Sequence, residues 1–213
     1  METILNEISE LTQKGRAPKV KELVQTALDS GIEPQVILEQ GLLAAMSIVG
    51  EKFKNNQVFV PEVLVAARAM NMGAQVLKPA LSEEGVEAKG KVVLGTVKGD
   101  LHDIGKNLVK MMMEGKGLEV YDLGTDVPAD AFLEKAKEID ADIIACSALL
   151  TTTMGEMKTV VDKLKEAGLD QSIKIMVGGA PLSQEFCDSI GADYYTPDAA
   201  SASEVALKIC EEK

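Results

Sequence analysis

Apolar residues recur every three to four positions from residue 2 to about residue 79, a spacing that predicts amphipathic helices. Short polar breaks separate four such segments. Pro61 suits the first turn of the fourth helix, which is expected to end at about Leu77, just before Pro79. The pattern therefore predicts a small four-helix bundle over residues 1–80.

Short apolar runs, typical of buried strands, replace the helical spacing after residue 90. They lie at 91–97, 118–123, 142–148 and 173–177, with a short fifth run at Asp193–Tyr195. Helical stretches separate the runs, and strands that alternate with helices form a parallel sheet covered on both faces. We therefore expect an α/β domain over residues 91–213, with five strands in a flavodoxin-like (Rossmann-like) order. A polar linker over residues 81–90 is expected to join it to the bundle.

The composition excludes several classes of protein. Of the 213 residues 46% are apolar and 26% are charged, the net charge is −12, and no cluster of Lys and Arg stands out, which argues against nucleic acid or membrane as a partner. No apolar run approaches the ~20 residues that span a bilayer, and the acidic N-terminus does not resemble a signal peptide, so we expect a cytoplasmic protein. Cys146, Cys187 and Cys210 are too far apart for a Cys-x-x-Cys site.

The only histidine of the chain, His102, lies in the loop between the first predicted strand and the next helix. Asp100 stands two positions before it and Gly105 three positions after it. An imidazole can bind a metal ion through one ring nitrogen while the other donates a proton to a carboxylate. Gly105 leaves room for a bulky group near the backbone. These residues suit a metal or ligand site, and a capped surface histidine is the simpler alternative.

Two further groups of residues follow predicted strands. Ser147 and Leu149 come after the third strand, and Gly178 and Gly179 come after the fourth. Because ligands of such sheets bind beyond the carboxyl ends of the strands, we expect both groups to lie near the histidine loop. The glycine pair either leaves room for a ligand or forms a tight turn before Pro181.

The three motifs resemble the cobalamin-binding domain of methionine synthase and of corrinoid proteins in methyltransferase systems. They are D-x-H-x-x-G at residues 100–105, S-x-L at residues 147–149 and G-G at residues 178–179. Upstream, residues 49–79 resemble the end of the helical cap that precedes this domain in that family. The resemblance implies an N-terminal helical cap followed by a cobalamin-binding α/β domain.

The resemblance also implies a cofactor and the residues that hold it. The cofactor would be cobalamin, as methylcobalamin, cob(I)alamin or a related corrinoid, bound base-off/His-on with His102 as the lower axial ligand of cobalt. Asp100 and Ser147 would form a proton relay with His102. Further contacts are expected from Gly99, Leu101, Asp103, Ile104, Gly105, Leu149, Thr151, Gly178 and Gly179. In the cap, Phe59, with Val63 or Met70, would contact the upper face of the corrin, although each is equally well explained as a core residue.

The implied function is that of a methyl carrier without turnover of its own. It would receive a methyl group on cobalt from a substrate:corrinoid methyltransferase and deliver it to a methylcorrinoid:acceptor methyltransferase that acts on tetrahydrofolate or a thiol. A reductive activator of cobalt(II) is a further expected partner. The donor stays open among methylamines, betaine, methanol and aryl methyl ethers. One alternative is the small subunit of an adenosylcobalamin-dependent mutase, which is disfavoured because such subunits ordinarily lack the helical cap expected over residues 1–79. The other is a corrinoid-dependent regulator, which would be expected to carry a basic DNA-binding helix pair and is disfavoured by the net charge of −3 over residues 1–89.

Other ligand classes find little support in the sequence. Neither G-x-G-x-x-G nor G-x-x-x-x-G-K-[ST] is present, and no second histidine is available for a zinc site of the usual type. A hydrolase built from Ser147, His102 and Asp100 is conceivable in residue type. However, no G-x-S-x-G motif surrounds Ser147.

Overall fold

The chain divides into two compact units in a computed structural model, which describes residues 2–84 and 87–212. One unit is helical and ends by Ala88, with Gly115–Gly117 grouped with it, and the other is α/β and begins at Lys89. Within the described ranges, none of the helices is both long and apolar enough to cross a membrane.

The helical unit contains four helical stretches, as the spacing of apolar residues predicts. They are α1 (Glu2–Gln13); α2 (Ala17–Asp29); a composite of α3 (Pro34–Val36), a π-helical segment (Ile37–Leu43) and α4 (Ala44–Lys54); and α5 (Val60–Glu84). Apolar side chains such as Ile8, Val24 and Leu42 are fully buried. The side chains on the apolar faces of these helices are thus in the interior, as the amphipathic pattern predicts.

The third stretch departs from a regular α-helix at Ile37–Leu43, where the backbone is π-helical. Within this segment Gly41 lies against α1, since a Cβ on it would come within 3.0 Å of the Ile8 Cγ2 atom. A π-helical turn widens the backbone by an i→i+5 hydrogen bond and still leaves an apolar face. The spacing of apolar residues could therefore not distinguish it from an α-helix.

The fourth helix is longer than predicted. The expected end at about Leu77 is wrong, because α5 continues through Pro79 to Glu84. A proline lacks one backbone donor and disfavours a helix interior, but it does not end a helix that is held elsewhere. Leu77, two residues before the proline, is fully buried, and Pro79 itself is exposed. Residues 81–84 of the expected linker are helical, and residues 85 and 86 lie outside the described ranges.

The α/β unit contains the five predicted strands in alternation with helices. The elements are β1 (Lys91–Thr96), α6 (Ile104–Glu114), β2 (Glu119–Asp122), α7 (Ala129–Ile139), β3 (Ile143–Ser147), α8 (Gly155–Glu166), β4 (Lys174–Gly178), α9 (Gln184–Ile190), β5 (Tyr194–Tyr195) and α10 (Ala199–Glu211). All strand pairs are parallel, and the order is β2-β1-β3-β4-β5. The predicted flavodoxin-like topology is confirmed.

Side chains of each central strand alternate between two apolar layers. On one face Val93 and Ile144 pack in a cluster with Phe132 of α7 and Leu164 of α8. On the other face Val92, Leu94 and Ile143 belong to a second cluster, which includes residues of α6 and α10. Both faces of the sheet are therefore covered, which explains why its strands are continuous apolar runs.

The carboxyl ends of the three central strands lie side by side. Thr96 of β1 pairs with Ser147 of β3, and Ser147 in turn pairs with Gly178 of β4. The loops that follow these residues therefore leave the sheet at the same edge, on either side of the point where the strand order reverses. Residues far apart in sequence meet there.

Candidate functional site

The His102 ring is held by a buried carboxylate. Its Nδ1 atom lies 2.7 Å from the Oδ1 atom of Asp100, which also accepts a 3.1 Å hydrogen bond from the His102 backbone N–H. The side chain of Asp100 is fully buried, whereas that of His102 is 51% exposed. Because the carboxylate accepts from Nδ1–H, the lone pair of the neutral ring is on Nε2. The arrangement presents Nε2 as a ligand atom.

The second oxygen of the Asp100 carboxylate binds the loop that follows β3. It accepts hydrogen bonds from the backbone N–H groups of Leu149 (2.8 Å) and Leu150 (3.1 Å) and from the Thr153 hydroxyl (2.9 Å). Burial alone raises the pKa of this carboxyl, but the hydrogen bonds from His102, Leu149 and Thr153 outweigh burial and hold the pKa well below its usual range. Asp100 is therefore ionised at neutral pH.

The local sequence shapes the loop between β1 and α6. Gly99 has a φ of +81°, a conformation that glycine adopts without strain. The Asp100 N–H then donates to the Val97 carbonyl (3.1 Å), which closes a turn directly after the strand. The Thr96 hydroxyl donates to the His102 carbonyl (2.9 Å). These bonds bring the histidine back over the end of its own strand.

Large, exposed apolar side chains lie in the histidine loop, at the start of α6 and in the loop that is bonded to Asp100. Leu101 is 73% and Ile104 77% exposed, and in the loop after β3 Leu149 is 43% and Leu150 41% exposed. We call these four residues the apolar rim. Such side chains normally lie inside a protein, and several together on the surface mark a binding site. The rim and the imidazole together suit a large, partly apolar ligand with a metal centre.

Gly105 and the glycine pair have different surroundings. A Cβ on Gly105 would meet no atom within 4 Å, so space is open at the start of α6. A Cβ on Gly178 would make only an ordinary 3.5 Å contact with the Thr196 carbonyl oxygen. Gly179 has a φ of +142°, and a Cβ there would lie 1.8 Å from the Ala148 carbonyl oxygen. Gly179 is therefore required by the packing of the β3 and β4 loops.

The residues predicted in the other loops lie at the same edge of the sheet. Ser147 ends β3, and its backbone carbonyl accepts a 3.0 Å bond from the Val97 N–H. Among the described residues, the hydroxyl bonded to the Asp100 carboxylate is that of Thr153. A relay role for Ser147 stays a prediction. Thr151, like Gly99 and Asp103, is exposed.

The cap residues lie in the helical unit. Phe59 immediately precedes α5 and is 62% exposed, and its backbone N–H donates a 3.1 Å bond to Glu62. Val63 and Met70 of α5 are buried, with exposures of 0% and 3%. Contact of these three side chains with a corrin stays a prediction, for which Phe59 is the most accessible candidate.

The donor set fits the cobalamin that the sequence resemblance implies. A corrinoid brings its own nitrogen ligands for cobalt, so the protein would need to offer no more than a single side-chain ligand, and the exposed imidazole of His102 could be that ligand. In the described part of the chain no group of three or more His, Cys, Asp or Glu side chains could hold a metal ion by itself. The apolar rim, in turn, suits a flat macrocycle.

Comparison with known proteins finds a matching B12 binding domain model for both the N-terminal and the C-terminal part of the chain. Residues 90–206 match the model of a B12 binding domain, and residues 4–78 match a second model with that description.

Similar proteins cover almost the whole chain. A corrinoid protein of Desulfitobacterium hafniense is 43% identical over 210 residues, 97% of each chain. Trimethylamine corrinoid protein 1 of Methanosarcina acetivorans is 47% identical over 190 residues, 88% of this chain and 87% of that protein. Among solved structures, the methanol:cobalamin methyltransferase complex of Methanosarcina barkeri matches with a TM-score of 0.90 and 31% identity, covering 100% of this chain and 81% of the other. The chain belongs to the family of B12-binding corrinoid proteins, and its cofactor is a cobalamin or a related corrinoid.

Proposed function

We propose that this chain is the methyl carrier of a methyltransferase system and binds its corrinoid base-off, with His102 as the lower axial ligand of cobalt. When bound, the corrinoid supplies a cobalt atom that accepts and donates the methyl group. The names of the relatives support the carrier role, since they include a trimethylamine corrinoid protein and a methanol:cobalamin methyltransferase complex.

The observation that carries the proposal is the pairing of an exposed imidazole with a buried carboxylate. Asp100 fixes the tautomer and the orientation of the His102 ring, so that Nε2 is the atom able to bind cobalt. Its other oxygen anchors the pair to Leu149 and Thr153 in a different loop of the sheet. The ring is thereby held in place before any cofactor binds, which reduces the entropic cost of ligation.

The loops around this pair are the proposed binding surface for the rest of the cofactor. The apolar rim would pack against the lower face of the corrin. Gly105, with its open surroundings, would leave space at the start of α6, and Thr151 and Gly178 would border the path of the nucleotide tail. Ser147, beside Gly178 in the sheet, would be the second hydroxyl near the histidine.

We expect the number of protons bound at the histidine site to change with the oxidation state of cobalt. Asp100 accepts hydrogen bonds from four groups besides the His102 side chain, and it stays ionised at neutral pH. It can therefore balance the charge of a protonated imidazole when the ring is not bound to cobalt. Thr153, and Ser147 if it turns toward the site, would reorient as that proton arrives or leaves.

The expected partners are two methyltransferases and an activator. A substrate:corrinoid methyltransferase would load the carrier, and a methylcorrinoid:acceptor methyltransferase, acting on tetrahydrofolate or a thiol, would unload it. A reductive activator would return oxidised cobalt(II) to the cycle. The relatives make trimethylamine and methanol the first donors to test. Transfer from either donor would require the cognate methyltransferase, and the chain alone should show none.

The histidine ligand can be tested by electron paramagnetic resonance. The full chain is loaded with hydroxocobalamin, reduced to cobalt(II), and prepared with either ordinary or nitrogen-15 histidine. Since His102 is the only histidine, ligation by the protein should change the nitrogen splitting from a triplet to a doublet on labelling. His102→Ala should lose the labelled splitting.

Two results would contradict the proposal. If hydroxocobalamin does not bind in a one-to-one ratio, the site is not a corrinoid site of this type. If it binds but the splitting is a triplet with either histidine, the cofactor's own base stays on cobalt and His102 is not the ligand.

A further inference from the structure

Asp126, in the loop between β2 and α7, makes two hydrogen bonds to the histidine loop. Its Oδ1 atom accepts a 2.7 Å bond from the Gly99 N–H. Its own N–H donates a 2.9 Å bond to the Asp100 carbonyl oxygen. The two bonds reach the peptide groups before Gly99 and after Asp100. They therefore fix the stretch of backbone from which the Asp100 carboxylate projects.

The backbone of Asp126 has an uncommon conformation. Its φ of +55° lies in the left-handed region, which a non-glycine residue adopts at a cost in free energy and which Asp and Asn tolerate better than most residues. In this conformation its N–H and its carboxylate both bond to the same two-residue stretch.

The loop that carries Asp126 is itself attached to the end of β1. The Thr96 N–H donates a 2.9 Å bond to the Gly124 carbonyl, and the Val127 N–H donates a 3.0 Å bond to the Thr96 carbonyl. Asp126 lies between these two attachment points. It is therefore anchored to the same strand that leads into the histidine loop.

Asp100 is consequently held from two sides. The loop after β3 binds its side chain through Leu149 and Thr153, and the loop after β2 binds its backbone through Asp126. We propose that Asp126 is a positioning residue for the cobalt ligand: it fixes the Gly99–Asp100 backbone, so that the Asp100 carboxylate meets the His102 ring in the orientation that ligation requires. This inference rests on the proposed function, because it concerns the same histidine.

Three substitutions distinguish the effect of the Asp126 carboxylate from the effect of its left-handed backbone conformation. Asp126→Gly keeps the left-handed backbone accessible but removes the acceptor for the Gly99 N–H. Asp126→Asn keeps both an acceptor oxygen and the tolerance for positive φ. Asp140→Gly is the matched control: Asp140 is also exposed, has a φ of +54°, and follows α7, before β3, so it precedes the opposite edge of the sheet.

Two measurements on the full chain test the role of Asp126. Amide hydrogen exchange of the cofactor-free protein should show the Gly99 N–H exchanging about tenfold faster in Asp126→Gly, since a single stabilising bond is lost. With hydroxocobalamin reduced to cobalt(II), the same variant should lose a substantial fraction of the labelled-histidine splitting. Asp126→Asn should restore both signals, and Asp140→Gly should match the wild type.

The outcomes are separable. If the wild type shows histidine splitting and Asp126→Gly retains all of it, the positioning role is wrong. It is also wrong if a folded Asp126→Asn behaves like Asp126→Gly, because the acceptor would then not be the cause. If the wild type itself shows no histidine splitting, the proposed ligation has failed instead. Should Asp126→Gly not fold, Asp126→Glu, which displaces the acceptor by one methylene group, replaces it with the same expected losses.

Discussion

Asp100 connects the histidine loop to the loop after β3, and a hydroxyl group takes part in that connection. The sequence suggested Ser147 for this position, whereas in the structure the Thr153 hydroxyl donates to the carboxylate. Thr153 is buried and Ser147 is partly buried at the end of β3. Substitution of each residue can therefore compare the Thr153 bond, which is present in the structure, with the bond predicted for Ser147.

We expect Thr153→Val to weaken the site more than Ser147→Ala. Valine keeps the shape of threonine but removes a hydrogen bond to a charged acceptor, which is worth about 1.5–3 kcal/mol. Urea unfolding should show this loss for Thr153→Val, together with weaker histidine splitting of the cobalt(II) form. A larger spectroscopic effect of Ser147→Ala would instead make Ser147 the main relay residue once the corrinoid is bound.

The glycines of the motifs are expected to respond oppositely to alanine. Gly179→Ala should lower the free energy of unfolding by about 3 kcal/mol or more, because its φ of +142° is strained for alanine and the Cβ would overlap the Ala148 carbonyl oxygen. Gly105→Ala should instead stabilise the cofactor-free chain by about 0.5–1 kcal/mol through helix propensity.

Hydroxocobalamin titration completes this comparison. If the open space at Gly105 accommodates the cofactor, Gly105→Ala should raise the Kd about tenfold, equivalent to about 1.4 kcal/mol. An unchanged Kd for Gly105→Ala would mean that the space at the start of α6 is not part of the corrinoid surface.

The sequence predicted single residues well where they are close in the chain. Asp100 and His102 are two positions apart, and their spacing in a loop was enough to predict the pairing. Thr153 and Asp126 lie 53 and 27 positions from their partners in the histidine loop. No periodicity links such residues, because their contact depends on how separate loops pack after the sheet has formed.

At the scale of elements, a buried ion pair attaches α6 to β2. The Lys106 side chain is 2% exposed, and its ammonium group lies 2.7 Å from one carboxylate oxygen of Asp122 and 2.8 Å from the other. It also donates to the Asn107 side-chain oxygen, and Asn107 in turn donates to Asp103, next to His102. The pair therefore fixes the first turn of the helix that follows the histidine loop.

Asp122→Asn should destabilise the chain in a pH-dependent manner. Burial raises the pKa of Asp122, but the hydrogen bonds from Lys106 and the Gly124 N–H, together with the charges of Lys106 and Lys110, outweigh burial, and the net shift is downward. The stabilisation is thus complete above the ordinary aspartate pKa of about 3.9 and is lost as the pH falls through the lower folded value. Breaking a fully buried pair on one side costs about 3–5 kcal/mol, and we expect a smaller loss here because the Asp122 side chain is 19% exposed.

Denaturant unfolding from pH 7 to pH 3 checks this expectation. The difference between wild type and Asp122→Asn should be constant above about pH 5 and shrink below the ordinary aspartate pKa. Asp162→Asn is the control, because Asp162 and Lys158 form an exposed pair on one helix, worth about 0.3–0.5 kcal/mol. Equal losses in the two variants would show that the Lys106 pair is no stronger than a surface pair.

Secondary structure was predictable where the apolar pattern has a single interpretation. All five strands and their parallel order follow from short apolar runs that alternate with helices. The errors concern helix interiors: the π-helical turn at Ile37–Leu43 and the passage of α5 through Pro79. Periodicity of apolar residues does not distinguish a π-helical turn from an α-helix, and a proline does not by itself end a helix.

At the scale of the whole molecule, the role of the helical unit can be tested through Phe59. This side chain is 62% exposed, so Phe59→Ala should change the free energy of unfolding by no more than about 0.5 kcal/mol. If Phe59 contacts the corrin, the same variant should bind hydroxocobalamin more weakly. Leu64→Ala, on α5 and 39% exposed, serves as the control. Equal affinities of the three proteins would argue against a contact by Phe59.

The apolar rim has a consequence for the newly made chain. Without the cofactor, the apolar rim of Leu101, Ile104, Leu149 and Leu150 is exposed to solvent near the polar His102–Asp100 pair. Contiguous exposed apolar groups promote association between copies of a protein. Light scattering should therefore detect self-association of the cofactor-free chain, and stoichiometric hydroxocobalamin should reverse it. If the cofactor does not change the scattering, the apolar rim is not the surface through which the copies associate. The supply of corrinoid would then determine what fraction of the protein is free of self-association, in addition to what fraction carries the cofactor.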